Sequence, residues 1–135
     1  DTIESVTPIC QSMGISVLYR KETAIPLISA DPTKMRQVLL NLLTNAREAI
    51  GTQGLISCTL SCDGENVYLT VKDTGSGIPV NYQKDIFEPF VTYKEGGTGL
   101  GLAICKRIVS AHGGRISFIA PAGKETAFIV ALPIT

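Results

Sequence analysis

The chain lacks tryptophan, carries a single histidine and has no surplus of either charge. Twelve Lys and Arg balance twelve Asp and Glu. No net field therefore marks nucleic acid or an anionic membrane surface as a partner. The basic pairs Arg20-Lys21 and Lys106-Arg107 stand isolated. No apolar run approaches the ~20 residues that a membrane-spanning helix needs. Neither an initiator Met nor a signal-peptide pattern stands at Asp1, so the chain is expected to be a piece of a longer protein. Cysteines are few and unpaired in pattern. Cys58 and Cys62 share one predicted strand and lie ~13 Å apart, beyond disulfide reach. Cys10 and Cys105 have no Cys-x-x-Cys or His neighbour, so zinc is not expected. Thiols used as small apolar residues suit a reducing cytoplasm. Whether the parent is membrane-anchored stays open.

What is present describes one domain. The 135 residues are 44% hydrophobic, with 13 Gly and 7 Pro, enough apolar content for a core and too much for disorder. Residues 2–13 show a helical spacing broken by Pro8 and Gly14 and lead in from upstream. Short strands are expected at 15–20 and 25–29. Asp31-Pro32 opens a helix, with Asp as N-cap and Pro in the first turn, and the helix runs to Ile50 before Gly51. Alternating strands at 55–62 and 66–73 flank an Asp63-Gly64 hairpin signal. A glycine-rich loop (73–79), a short helix near 80–87 and a polar mobile segment follow. A second firm helix is expected at about 99–112, stopped by Gly113-Gly114, then strands at 115–119 and 126–132. This order predicts an α+β fold: a two-layer sandwich, its mixed sheet carrying helices on one face.

Three segments carry candidate chemistry. In the helix at 32–50, Met35, Val38, Leu39, Leu42, Leu43, Ala46 and Ile50 form a core stripe, and Asn41, Asn45 and Glu48 border it. Asparagine costs several tenths of a kcal/mol inside a helix relative to Ala. At i, i+4 the two carboxamides address one patch of space, where their oxygens suit a Mg²⁺ ion otherwise held by phosphates and water. Solvated boundary residues are the plain alternative. In DTGSGIP (73–79), Asp73 ends an apolar strand and suits an exocyclic amino group. Gly75 and Gly77 permit close backbone approach to a flat ligand, or simply a tight strand-to-helix turn. The third segment, GGTGLGL (96–102), is neither a Walker A loop nor a Rossmann turn. It delivers glycines to a helix N-terminus, where unpaired N–H groups and the helix dipole suit phosphate oxygens. Interior glycines cost about 1 kcal/mol each in a helix built only for structure. A flexible linker is the alternative there.

In this order the segments resemble the catalytic ATP-binding domain of sensor histidine kinases. Those belong to the GHKL superfamily shared with gyrase, mismatch-repair ATPases and the ninety-kilodalton heat-shock chaperones. QVLLNLLTNAREAI (37–50) resembles the asparagine box, DTGSGIP the first glycine box, IFEPF (86–90) the phenylalanine box and GTGLGLAI (97–104) the second glycine box. The Asn-Ala-x-Glu-Ala and Phe-Glu-Pro-Phe variants look most like nitrogen-regulation and sporulation sensors. The resemblance runs from about residue 14 to the end and implies the Bergerat ATP-binding fold, with residues 1–13 as a stub from a missing dimerisation and phosphoacceptor domain.

The resemblance also implies roles. Asn45 would be the Mg²⁺ ligand, and Asn41 would line the phosphate pocket. Asp73 would accept the adenine amino group, with Gly75, Gly77 and Ile78 beside the base and Thr126 near adenine. Phe87 and Phe90 would pack the root of a nucleotide lid at 91–98, which contains Tyr93 and Lys94. That lid is expected to be mobile until the γ-phosphate orders it. Gly97, Gly99 and Gly101, with the backbone of Thr98, Leu100 and Leu102, would wrap the phosphates. Many relatives carry a basic residue three positions after the metal Asn, where this chain has Glu48. Phosphate neutralisation then falls to Arg47 or Lys94.

Asn41 occupies the position where hydrolysing relatives place a water-activating Glu, and a carboxamide is a poor proton acceptor. The implied reaction is therefore transfer of the ATP γ-phosphoryl group to a histidine on a separate domain, and then onward to a response regulator receiver domain. His112 is read as a helix C-terminal residue and not as the acceptor. Alternatives are a nucleotide-binding module without phosphotransfer, an ATP-hydrolysing switch, or a Ser/Thr kinase of the same superfamily.

Overall fold

The computed structural model describes residues 14–21, 30–51, 53–75, 77–89, 101–120 and 125–134. The lead-in at 2–13, the strand expected at 25–29 and the lid at 91–98 lie outside the described residues.

Helix α1 spans Pro32–Ile50, the bounds read from its caps. Asp31 Oδ1 accepts the N–H groups of Thr33 and Lys34 at 2.9 and 3.2 Å, covering two of the donors a helix start leaves orphaned. At the other end the Gly51 N–H donates to the Arg47 carbonyl at 3.0 Å. Strand β1 (Ile15–Lys21) precedes α1 and β2 (Gly54–Cys62) follows it. The intervening helix makes the two strands parallel neighbours, as a crossover connection does. Strand β3 (Asn66–Asp73) returns antiparallel to β2. Its turn is held by Asp63, whose carboxylate accepts the N–H groups of Glu65 and Asn66 at 2.8 Å and the Tyr68 hydroxyl at 2.6 Å.

The helix expected near 80–87 is shorter. Helix α2 covers only Val80–Gln83. Beyond it the chain continues in i→i+3 turns, Asp85 N–H to the Tyr82 carbonyl and Glu88 N–H to the Asp85 carbonyl. This tighter winding delivers Ile86 to the core and sets Phe87 edge-on against Phe118 and Phe128, with ring centroids 5.9 and 6.3 Å apart. Helix α3 spans Gly101–Ala111, and residues 99 and 100 of the expected helix are not described. It ends in a Schellman motif: Gly114 N–H reaches the Val109 carbonyl, Gly113 N–H the Ser110 carbonyl, and Gly113 has φ 75°.

Strands β4 (Arg115–Ile119) and β5 (Thr126–Pro133) complete a five-stranded sheet of order β1-β2-β3-β5-β4. All pairs except β1–β2 are antiparallel. The helix-facing side carries Ile15, Ile56, Cys58, Val71, Phe128 and Val130, packed with Val38, Leu42, Leu43 and Ala46 of α1 and Cys105, Ile108 and Val109 of α3. Met35, Leu39 and Ile50 of the predicted stripe pack at its margin. Ser57, Thr59, Thr70, Ser117 and Ile129 alternate onto the opposite face. Among the described residues no helix is long and apolar enough to cross a membrane, and Cys58, Cys62 and Cys105 take part in no disulfide.

Candidate functional site at the end of the sheet

Among the described residues, Asp73 and Thr126 are the buried polar ones, 1% and 2% exposed. They are direct partners across β3 and β5, so both side chains leave the same face at the same end of the sheet. Asp73 Oδ1 accepts the Gly75 N–H at 2.8 Å. Thr126 Oγ1 is buried without a hydrogen-bond partner. Such an orphan is rare in a folded protein and costs stability unless something fills it. An acceptor beside an unsatisfied hydroxyl suits a flat ligand that both donates and accepts.

The loop from Asp73 is shaped by glycine for a reason the motif alone hides. A Cβ on Gly75 would lie 2.7 Å from the Ala49 carbonyl oxygen and 2.8 Å from Asp73 Oδ1. Gly75 therefore lets the loop lie against α1, a contact within the fold beyond the ligand approach expected from sequence. Gly77, at φ 79°, turns the chain back. Ile78 is buried in the core cluster.

Helix α1 supplies the second wall. Asn41 and Asn45 are half-buried, as is Arg47, whereas Glu48 is exposed. Asn41 Nδ2 donates to the Gly101 carbonyl at 3.4 Å, bringing the asparagine box against the first residue of α3. Leu102 is half-buried against the core. The structure thus joins Asn41 to Gly101 on one side and Asp73, Gly75 and Thr126 on the other. Phe90, Tyr93, Lys94, Gly97, Thr98, Gly99 and Leu100 lie outside the described residues.

The two buried thiols are chemically quiet. Burial pushes Cys58 up to about 11, and does the same for Cys105. Neither is an activated nucleophile. Cys105 instead donates weakly to the Val38 carbonyl at 3.7 Å.

Two polar residues escaped the sequence reading in their actual roles. Gln83 Nε2 donates to the carbonyls of Ile78 and Ala120 at 2.9 and 2.7 Å. A carboxamide five residues after Ile78 hinted at the first bond, and nothing local hinted at the second. His112 does end α3, but its ring also reaches the N-cap of α1.

A two-layer fold with a buried acceptor at the sheet end and a glycine-started helix beside an asparagine pair defines a nucleotide-binding ATPase domain. Residues 30–135 match the family described as histidine kinase-, DNA gyrase B- and HSP90-like ATPase. The sensor histidine kinase ZraS of Escherichia coli (strain K12) is 41% identical over 133 residues, 98% of this chain and 29% of ZraS. The nucleotide-free catalytic domain of the histidine kinase ThkA superposes with a TM-score of 0.87 at 33% identity, covering 98% of this chain and 88% of that one. ThkA in complex with the response regulator TrrA gives 0.83 at 31% identity, covering 99% of this chain and 38% of that one. Full-length ShkA in complex with AMPPNP gives 0.88 at 33% identity, covering 99% of this chain and 29% of that one. The chain belongs to the histidine kinase-, DNA gyrase B- and HSP90-like ATPase family, and within it to the ATP-binding catalytic domains of sensor histidine kinases. It spans less than a third of the length of ZraS.

Proposed function

We propose that this domain binds ATP with Mg²⁺ and donates the γ-phosphoryl group to a histidine on a separate dimerisation domain of its parent protein. The observation that carries the base end of this reading is the buried Asp73 beside the orphaned Thr126 hydroxyl. Asp73 accepts the adenine 6-amino group, and the Thr126 hydroxyl pairs with a ring nitrogen or a water on that edge. Gly75, Gly77 and Ile78 flank the base.

Asn41, Asn45 and the start of α3 at Gly101 and Leu102 take the phosphate end, with Gly97, Thr98, Gly99 and Leu100 before them. Among the described residues no group of His, Cys, Asp and Glu could hold a metal by itself. Neutral carboxamides suit an ion whose remaining ligands are phosphate oxygens and water. Asn45 would hold Mg²⁺, which would supply charge neutralisation. Arg47 or Lys94 would add to it, with Glu48, Phe90 and Tyr93 at the rim.

Phosphoryl transfer asks mainly for positioning and electrostatic stabilisation, and the nucleophile arrives with the acceptor domain. With Asn41 unable to take a proton from water, hydrolysis is slow. The parent passes its phosphoryl group to a receiver domain, a reading supported by similarity to ThkA, whose structure in complex with the response regulator TrrA is known.

Calorimetric titration with ATP, with and without Mg²⁺, beside Asp73→Asn tests the pocket. Saturable binding weakened at least about thirtyfold by the variant is expected, the cost of losing a buried charged acceptor. Absence of binding by the unaltered domain refutes the reading. A supplied acceptor domain labelled on histidine would separate a kinase from a binding module.

A further inference from the structure

Gln83 stands on the short helix α2, outside every motif described above. Its carboxamide nitrogen has two N–H donors, and both are committed: one to the carbonyl of Ile78 at 2.9 Å, the other to that of Ala120 at 2.7 Å. Both acceptor residues are buried, Ile78 at 1% and Ala120 at 6% exposure. Ile78 is the end of the loop that leaves Asp73. Ala120 follows the last residue of β4, and Ile119 pairs with Ala127 in β5. Thr126 precedes Ala127 in β5 and itself pairs with Asp73.

A closed circuit results. It runs from Asp73 through the Gly75 and Gly77 loop to Ile78, across Gln83 to Ala120, and through the sheet ladder by way of Thr126 back to Asp73. The orphaned Thr126 hydroxyl and the Asp73 carboxylate sit on this circuit. Every link except Gln83 is backbone continuity or sheet pairing. Resting on the ATP-binding reading of that pocket, we infer that Gln83 is a positioning residue for base recognition: it clamps the Ile78 loop to the end of β4 and so sets the width of the adenine slot. It touches neither phosphates nor the acceptor histidine.

The clamp makes an unequal demand on ligands. Adenine must lie between the Ile78 loop and the Asp73–Thr126 pair to place its amino group, so slot width governs its affinity. Guanine presents an oxygen to Asp73 in place of that amino group, gains little from the slot and is held mainly through its phosphates. Loss of the clamp therefore narrows the preference for ATP over GTP, whereas a general loosening of the fold lowers both affinities together.

The test compares the unaltered domain with Gln83→Met, which keeps length and volume but has no donor, and Gln83→Lys, whose ammonium can donate to both carbonyls. ATP and GTP affinities are measured by calorimetry, and folding by urea denaturation. Gln83→Met is expected to weaken ATP about tenfold and GTP less than about twofold, while Gln83→Lys keeps the ATP-to-GTP ratio within about threefold. An unchanged ratio in Gln83→Met overturns the inference, as does its collapse in Gln83→Lys. If Gln83→Met fails to fold, Gln83→Glu, which keeps the shape but sets carboxylate oxygens against the two carbonyls, takes its place, and an unchanged ratio there overturns the inference as well. Failure of the unaltered domain to bind ATP is a separate result that removes the nucleotide reading and the inference with it.

Discussion

The backbone N–H of Asp31 donates to Nε2 of His112 across 3.1 Å, joining the first turn of α1 to the end of α3. Since that nitrogen accepts, the ring hydrogen sits on Nδ1, 2.8 Å from the Ile108 carbonyl. Two further ties, Cys105 to Val38 and Asn41 to Gly101, continue along the same seam. The helices thus run antiparallel in a fixed register, and the last of these ties brings the asparagine box to the start of α3.

His112→Ala removes the tie farthest from the phosphate end, a helix length of ~16 Å away. It removes both ring hydrogen bonds, to the Asp31 N–H and to the Ile108 carbonyl. The substitution is expected to cost about 2 kcal/mol of stability, the net worth of two such bonds, and to leave ATP affinity within about twofold. Urea denaturation and calorimetry on the same protein check both numbers. A large loss of ATP affinity at unchanged stability would contradict the assignment.

Thr126→Val replaces an unsatisfied buried hydroxyl with a methyl group of similar shape. The nucleotide-free domain is expected to gain about 1 kcal/mol, because an orphaned polar atom is removed. ATP affinity is expected to fall about threefold to tenfold. Opposite signs for stability and binding identify a group kept for its ligand. Thermal denaturation with and without ATP shows them directly.

Gly75→Ala puts a methyl 2.7 Å from the Ala49 carbonyl oxygen. Either the loop lifts from α1 or the Asp73 side chain turns. Overpacking of this kind costs about 1–3 kcal/mol, and Asp73 loses its geometry toward adenine. Both stability and ATP binding are expected to fall, in contrast with Thr126→Val. Retention of full stability would show that the loop is free to move away.

The buried thiols make a pH prediction. Cys58 and Cys105 rise from 9.0 to about 11 on folding because burial penalises the thiolate. The unfolded chain therefore loses these protons first. The stabilising contribution is complete below pH 9.0 and disappears as pH rises through about 11. Cys58→Ala should flatten that alkaline decline. At pH 8 both native thiols should alkylate about a hundredfold more slowly than in urea, following their thiolate fractions. Peptide-resolved mass spectrometry after brief iodoacetamide treatment reads each site, with half-buried Cys62 as the internal comparison.

Local chemistry was legible wherever its cause lies within a few residues. Asp31, Pro32 and Gly51 bound α1 because caps act on adjacent N–H and carbonyl groups. Asp63-Gly64 announced the β2–β3 hairpin for a similar reason, although the Tyr68 hydroxyl completes that turn from inside the next strand. The short helix ends at Gln83, earlier than local pattern predicts, because the pull of Ile86 and Phe87 into the core is a tertiary force on a segment with weak preferences of its own. Gly75 was recognised as special, but the atom that demands glycine there belongs to Ala49 on another element.

By itself, then, the sequence determined the elements, the caps, the four boxes and the kind of ligand their residues can hold. Tertiary structure alone decided that β5 lies between β3 and β4. That order places Thr126 opposite Asp73 and lets Gln83 reach Ala120. Periodicity and capping act over one or two turns of chain, whereas strand order rests on pairings between distant segments. The energy of those pairings comes from packing a whole face against α1 and α3, and no short window of residues contains it.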